Sequence, residues 1–320
     1  LEVASISALG GGTPGPALVL GKGTFRYAGT DAGDLARGYI ISNGGASAVS
    51  VLDARTNLTI SGKVNAPATG GGRFIKTGPG TVTYTYNGYQ DMNRGGTGVT
   101  TDTNLVFDTV NGGAGTQGYH DFTVAEGKVV FNSAGQTNRL YNSVTIGERY
   151  PAAAHMEVQS GLVQAPDTWF SISRGNGDTN NPYSSSLTVS GGRLEIWGLI
   201  MGFYGGMPGF KSFPVLNQTG GAIVIANDSF VPEQSGASAT LNLSGGTLTA
   251  NGLGSGFDLS RGGGTSTVMN VAGSAVVSLA KLRVNTGGTL NVTNGGTLAL
   301  RTSASSSAGK RARSTLASSS

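Results

Sequence analysis

One hydrophobic pattern recurs along the C-terminal part of the chain. An apolar residue, any residue and a second apolar residue are followed by two polar or small residues, Gly, any residue and a third apolar residue. Leu187-Thr188-Val189-Ser190-Gly191-Gly192-Arg193-Leu194 and Leu241-Asn242-Leu243-Ser244-Gly245-Gly246-Thr247-Leu248 are the clearest copies. Met156-x-Val158 leading to Val163, Leu216-x-Gln218 leading to Ile223 and Met269-x-Val271 leading to Val276 follow it too. Leu290-x-Val292 leading to Leu298 carries one extra residue. The first positions fall at 156, 187, 216, 241, 269 and 290, so the unit is 21 to 31 residues long.

Alternation with period two predicts short strands whose alternate side chains point inward. Gly at the joint suits a corner that needs a positive φ or no side chain. A second piece precedes several units: Phe170-x-Ile172-Ser173-Arg174-Gly175 matches Phe257-x-Leu259-Ser260-Arg261-Gly262, and Val144-x-Ile146-Gly147 is a looser copy. Each unit therefore predicts about three strands. So small a unit cannot bury its apolar face alone, but stacking successive units does, which makes the chain a β-solenoid. A β-sandwich also has many short strands, but it does not repeat one strand–corner–strand motif at a near-constant step. No apolar stripe of period 3.6 lasts three turns, so helix should be negligible.

The alignment assigns individual positions. Leu187, Leu216, Leu241 and Met269 should form one inward column, with Val189, Gln218, Leu243 and Val271 beside it. Leu194, Ile223, Leu248 and Val276 should form the column beyond the corner. Gln218 is a polar intruder that needs a hydrogen-bond partner. Asn217, Asn242, Asn270 and Asn291 share an outward position, where amides one strand spacing apart can form a hydrogen-bonded ladder.

The N-terminal half is less regular. Leu20 to Gly29 runs as a strand into a turn, followed by Leu58-Thr59-Ile60-Ser61-Gly62. Next comes Gly71-Gly72-Arg73-Phe74-Ile75-Lys76-Thr77-Gly78-Pro79-Gly80-Thr81-Val82-Thr83-Tyr84. Downstream lie Asn87-Gly88-Tyr89, Gly95-Gly96-Thr97 and Val124-Ala125-Glu126-Gly127-Lys128-Val129-Val130-Phe131. This succession, over about residues 17–132, resembles the autotransporter-associated β-strand repeat of bacterial surface proteins. That repeat reads G-G-x-x-K-x-G-x-G-T-L-x-L, then N-x-Y, G-G-T and V-x-x-G-x-L, and Lys76-Thr77-Gly78-Pro79-Gly80-Thr81 is the strongest match. The resemblance implies an extracellular, bacterial, right-handed parallel β-helix serving as a secreted passenger or surface scaffold. The repeat itself carries no catalytic residues. One departure is the stretch 90–122, which intervenes where the family passes quickly to its next strand.

The expected fold is thus all-β: a right-handed parallel β-helix of about 11 coils, an elongated rod of about 50 Å at ~4.8 Å per coil. Residues 1–142 form the repeat-like part with the inserted loop 90–122, residues 143–301 form the regular coils continuous with it, and residues 302–320 form a Ser/Ala-rich basic tail or linker.

Composition narrows the chemistry. The chain has 320 residues, 55 of them Gly, and no Cys, which excludes a disulfide framework, a Cys-based zinc site and a Cys nucleophile. No run of 18 apolar residues exists, so no helix should span a membrane. The net charge of +4 owes much to Lys310, Arg311 and Arg313 in the tail, and no basic stripe interleaves with aromatics, so nucleic acid is not an expected partner. The 17 acids are scattered. Their densest group, Asp91, Asp102, Asp108 and Asp121 with His120, reads as a solvated loop rather than a cation or catalytic site. Asp178 and Asp228 sit in turn-like contexts, and His155 reads as a loop residue. No hydrolase elbow, zinc-protease or phosphate-loop motif occurs. No catalytic residue, metal ligand or cofactor is therefore assigned.

Aromatics gather between residues 165 and 215, including Trp169 and Phe170. Of these, Trp197, Phe203, Tyr204, Phe210 and Phe213 are the candidates for surface recognition of a glycan or a protein, against the plainer reading that they cover a corner. Leu1 to Leu9 alternates like a strand, and Thr297 to Leu300 runs straight into the tail, so neither end supplies an evident cap. The expected partners are further coils of a longer parent chain or a second copy stacked head to tail. The sequence thus points to a non-enzymatic extracellular structural or adhesive segment. The alternative is a glycan-binding or glycan-degrading β-helix using the 90–122 insertion or the 197–213 loop.

Overall fold

The computed structural model describes residues 1–9, 17–30, 32–41, 49–65, 73–88, 90–91, 122–140, 143–148, 152–174, 184–203, 211–262 and 265–301. Most of the insertion, the aromatics Tyr204 and Phe210, Asp178 and the tail 302–320 lie outside them. Every strand pair among the described residues is parallel, and each strand pairs with its counterpart one unit later, as in Ser186–Val189 with Val215–Gln218 and then Ser238–Leu243. The protein is a parallel β-solenoid with three faces.

The first face carries strands such as Arg73–Thr77, Phe122–Val124, Val144–Glu148, Ser229–Val231 and Phe257–Leu259. The second carries Thr81–Tyr84, Ser186–Val189, Val215–Gln218, Ser238–Leu243 and Ser266–Val271. The third carries Leu18–Leu20, Tyr39–Ile41, Ala222–Ile225, Thr247–Ala250 and Val276–Leu279. Long strands turn corners without a break: Ala154–Arg174 serves the second, third and first faces in turn. Pairing of Phe122–Val124 with Val144–Glu148 makes the N- and C-terminal parts one stack.

Followed from strand to strand, the first face of the described residues stacks eleven strands, from Glu2–Val3 to Leu282–Val284, which gives a rod of ~50 Å at ~4.8 Å per turn. The thinnest coils lie toward the N-terminus, where Gly33–Asp34, Val64–Asn65 and Gln90–Asp91 are strands of two residues only.

The core is a set of straight columns. Met156, Leu187, Leu216, Leu241, Met269 and Leu290 are in register, and beside them run Val158, Val189, Gln218, Leu243, Val271 and Val292. Beyond the corner, Val163, Leu194, Ile223 and Leu248 continue the core, but the next inward residue is Val277. Val276 pairs with Thr247 and is 43% exposed, whereas Val277 is fully buried. The corner after Val271 holds one residue more than the corner after Leu243, and a one-residue slip moves a strand's side chains to the opposite face. In the regular units the second Gly of Ser-Gly-Gly, or its equivalent, takes a positive φ: 62° at Gly192, 63° at Gly221 and 76° at Gly246.

Two aromatic stacks fill the N-terminal core. Tyr39, Phe74 and Phe122 lie face to face at 5.7 and 5.3 Å, and Tyr84 stacks on Phe131 at 5.4 Å. The hydroxyls of Tyr39 and Tyr84 meet across the interior at 2.8 Å, so two buried polar atoms satisfy each other. Burial pushes both phenols above their usual range.

The N-terminal stretch departs from the sequence expectation. Leu1 to Leu9 is not one strand: Glu2–Val3 pairs with Thr24–Tyr27, and Ile6–Leu9 forms a 3-10 turn whose Ile6 and Leu9 pack against the core. At the other end Val284, Val292 and Leu300, which continue inward columns, remain 47%, 36% and 59% exposed. On the first face, moreover, the outward positions Ile75, Thr123, Thr145, Ser171 and Ile200 are all buried. Those strands are covered on both sides.

Candidate functional site

The match Lys76-Thr77-Gly78-Pro79-Gly80-Thr81 forms a corner organised by its lysine. The Lys76 side chain points inward from the first face and is buried. Its Nζ donates to the carbonyl oxygens of Gly78 (2.5 Å), Gly80 (2.6 Å) and Glu126 (2.7 Å), so the three N–H groups of an ammonium have three acceptors. The Glu126 carboxylate accepts from the Gly78 N–H at 2.9 Å. Gly78 has φ 79°, and a side chain on Gly80 would run into the backbone of Thr56 one coil back. Burial pulls the Lys76 pKa down from 10.5 to about 7, against the opposing pull of Glu126 and Asp53. This is a structural clamp between two coils.

The expected aromatic group is not brought together as one. Trp197 lies at the corner between the third and first faces, whereas Phe203 ends the first-face part of the same strand, Arg193–Phe203. Phe203 is half-buried beneath the Arg174 guanidinium at 5.6 Å, and Phe213 is 41% exposed. Trp197 instead meets residues from neighbouring coils. It packs edge-on against Trp169, with centroids 4.8 Å apart and planes at 84°, and Trp169 lies 5.1 Å from Phe230. Arg261 covers the Phe230 ring at 3.7 Å and pairs with Glu233 at 3.1 Å. Trp169 leans over Gly198, where a Cβ would collide with its ring. The three rings thus spend their faces on one another and on Arg261. Trp169 and Trp197 stand one unit apart in sequence, so aligned repeats place them side by side. Phe230, Glu233 and Arg261 carry no motif of their own and emerge only from the stacking.

The acids whose side chains are described hold structural partners. Arg26 bridges Glu2 and Asp53, and Arg55 also binds Asp53. Asp34 accepts from Ser61, Asp228 from the backbone N–H of Ser255 and Gly256, and Asp258 from Asn285. Glu157 pairs with Lys128 and Glu195 with Arg193. For Glu157, burial raises the pKa, but hydrogen bonds from Lys128, Gln159 and Ser190 outweigh it and hold the carboxyl below its usual range. Glu195 is held low by Gln164 and Arg193. His155 bonds Ser186 through Nδ1 at 2.8 Å, and burial with Lys128 and Lys76 nearby keeps its pKa below the usual value. Among the described residues no three His, Asp or Glu side chains are grouped to hold a metal. No helix among them is long and apolar enough to cross a membrane.

The second face carries the other assigned group. Asn217, Asn242, Asn270 and Asn291 are in register on consecutive coils. Asn242 donates to Asn217 Oδ1 at 3.0 Å, Asn270 to Asn242 at 3.1 Å and Asn291 to Asn270 at 2.9 Å. Inside the same strands, Gln218 is buried and donates to the Thr247 carbonyl at 2.9 Å. No protein-family model matches this chain, and neither a curated protein nor a solved structure matches it.

Proposed function

We propose that the chain is a non-enzymatic extracellular scaffold: a stalk, fibre or adhesive segment of a secreted bacterial surface protein related to the autotransporter-associated repeat proteins. The observation that carries this reading is the use of the polar groups. The described carboxylates are committed to clamping corners and coils together. Trp169, Trp197 and Phe230 pack on one another and on Arg261. The Lys76 corner adds the physical meaning of the Lys-x-Gly-x-Gly-Thr match, since the lysine joins three carbonyls from two coils. Such a chain gains stiffness from every coil and needs none of them for chemistry.

Antibody labelling of intact source cells tests the location, with label expected before permeabilisation. Label found only after permeabilisation overturns the extracellular reading. Incubation of the purified chain with a panel of plant, fungal and bacterial polysaccharides tests the rest. New reducing ends or unsaturated sugar products would overturn the non-enzymatic reading.

A further inference from the structure

From Ser186–Val189 onward, the outward side of the second face is a regular, uncharged array. One row runs Thr188, Asn217, Asn242, Asn270 and Asn291. The other, two residues earlier on each strand, runs Ser186, Val215, Thr240, Val268 and Thr289. All ten are half-buried or exposed, as outward residues of a bare sheet should be. The charged residues stop at one edge of this patch, where Lys128 pairs with Glu157 one coil before Thr188.

The amides are held in place. Each middle Asn spends one N–H and one lone pair of Oδ1 on its neighbours, which leaves one N–H and one lone pair facing solvent. These groups recur at the coil spacing of ~4.8 Å, next to a row of methyl-bearing Val and Thr side chains. Their rotamer entropy is already lost in the folded protein, so a partner gains hydrogen bonds without ordering them.

We infer that this face binds an extended, uncharged polysaccharide lying along the coil axis, one sugar residue per coil. The inference rests on the extracellular adhesive reading and names the ligand class for it. A neutral face offers nothing to a polyanion, which removes nucleic acids and acidic glycans. A repeat of hydrogen-bonding groups at one spacing matches a linear polymer whose hydroxyls recur at that spacing. A second copy docked face to face is disfavoured by size. Five strands at ~4.8 Å and about four residues each at ~3.3 Å give roughly 300 Å², far below the ~800 Å² per partner of a stable protein interface.

The test is co-sedimentation of the whole chain with microcrystalline cellulose, chitin and insoluble mannan, with pectate gel as the charged control. The chain is expected in the pellet of at least one neutral polymer and not with pectate. The double variant Thr240→Lys/Asn242→Asp should weaken pelleting by about tenfold or more. Thr249→Lys on the third face should leave it unchanged, and circular dichroism should report the same fold for all three proteins. A native chain that stays in the supernatant with every neutral polymer overturns the inference and leaves the surface-label result standing. Equal pelleting of the double variant, or pelleting lost equally in Thr249→Lys, overturns it as well. So does a double variant that changes only the oligomeric state seen by sedimentation velocity, because the face would then be a contact between copies.

Discussion

The Lys76 ammonium donates to the carbonyl of Glu126, fifty residues further along the chain, at 2.7 Å. That bond joins one corner to the corner of the next coil. The same nitrogen holds Gly78 and Gly80, so the tight turn and the coil-to-coil contact depend on one side chain. Lys76→Met keeps the length and removes the donors. It should lower stability by ~3 kcal/mol or more, since each buried carbonyl left without a donor costs about 1–3 kcal/mol. Equilibrium denaturation of the purified variant reads this directly, and a loss under ~1 kcal/mol would show that water replaces the ammonium.

Ser173 has φ 59° and Ser260 has φ 56°, at matching positions of the repeated motif, where the looser copy has Gly147 at φ 74°. Among the described residues the buried Ser173 hydroxyl has no hydrogen-bond partner, whereas Ser260 bonds Thr267. Ser173→Gly should therefore raise stability by ~1 kcal/mol through relief of left-handed strain. Ser260→Gly should gain less or lose. A thermal melt of the two variants side by side separates them.

Gln218 interrupts an apolar column but keeps its hydrogen bond to Thr247. Gln218→Leu should be close to neutral, because a filled apolar site replaces a satisfied polar one. Gln218→Ala should cost about 2–3 kcal/mol through the cavity it leaves. Urea midpoints of the pair test this, and equal losses would contradict it.

The amide ladder predicts a pH-dependent double variant. Asn242→Asp/Asn270→Asp places two carboxylates on adjacent strands, where like charges destabilise. Relative to the native chain, it should melt lower at pH 7 and recover part of the difference near pH 4, where one proton can be shared. A deficit independent of pH would mean that the residues do not face each other.

Acid should destabilise the native chain too. Glu157 and Glu195 have folded pKa values below their ordinary value, so they release protons more readily folded than unfolded. Their contribution is present above about pH 4.5 and is lost as pH falls through the lowered folded values. Glu157→Gln should flatten that acid limb in a plot of unfolding free energy against pH.

The coils were legible because alternation and a repeated corner act at every turn. Leu187, Leu216, Leu241 and Met269 stand in one column because each strand reads the same way. Val276 shows the limit: a single additional corner residue is invisible to the motif but turns the strand over. The Ile6–Leu9 turn was hidden for a related reason, since Ile6 and Leu9 meet the core equally well from a 3-10 turn as from a strand. The burial of Lys76 is the opposite case. Its motif was visible, but the pattern says nothing about three carbonyls converging inside the solenoid. The contacts of Trp169, Phe230 and Arg261 depend on distances between coils, which no local pattern carries.

The buried outward row of the first face, from Ile75 through Thr123, Thr145 and Ser171 to Ile200, has a dynamic consequence. Its ladder amides are screened from solvent on both sides, whereas those of the second face are screened on one. Deuterium should therefore enter the second-face strands Val215–Gln218 and Ser238–Leu243 well before the first-face strands Phe122–Val124 and Val144–Glu148. The first face would then act as the slow-exchanging spine along which the coils open last.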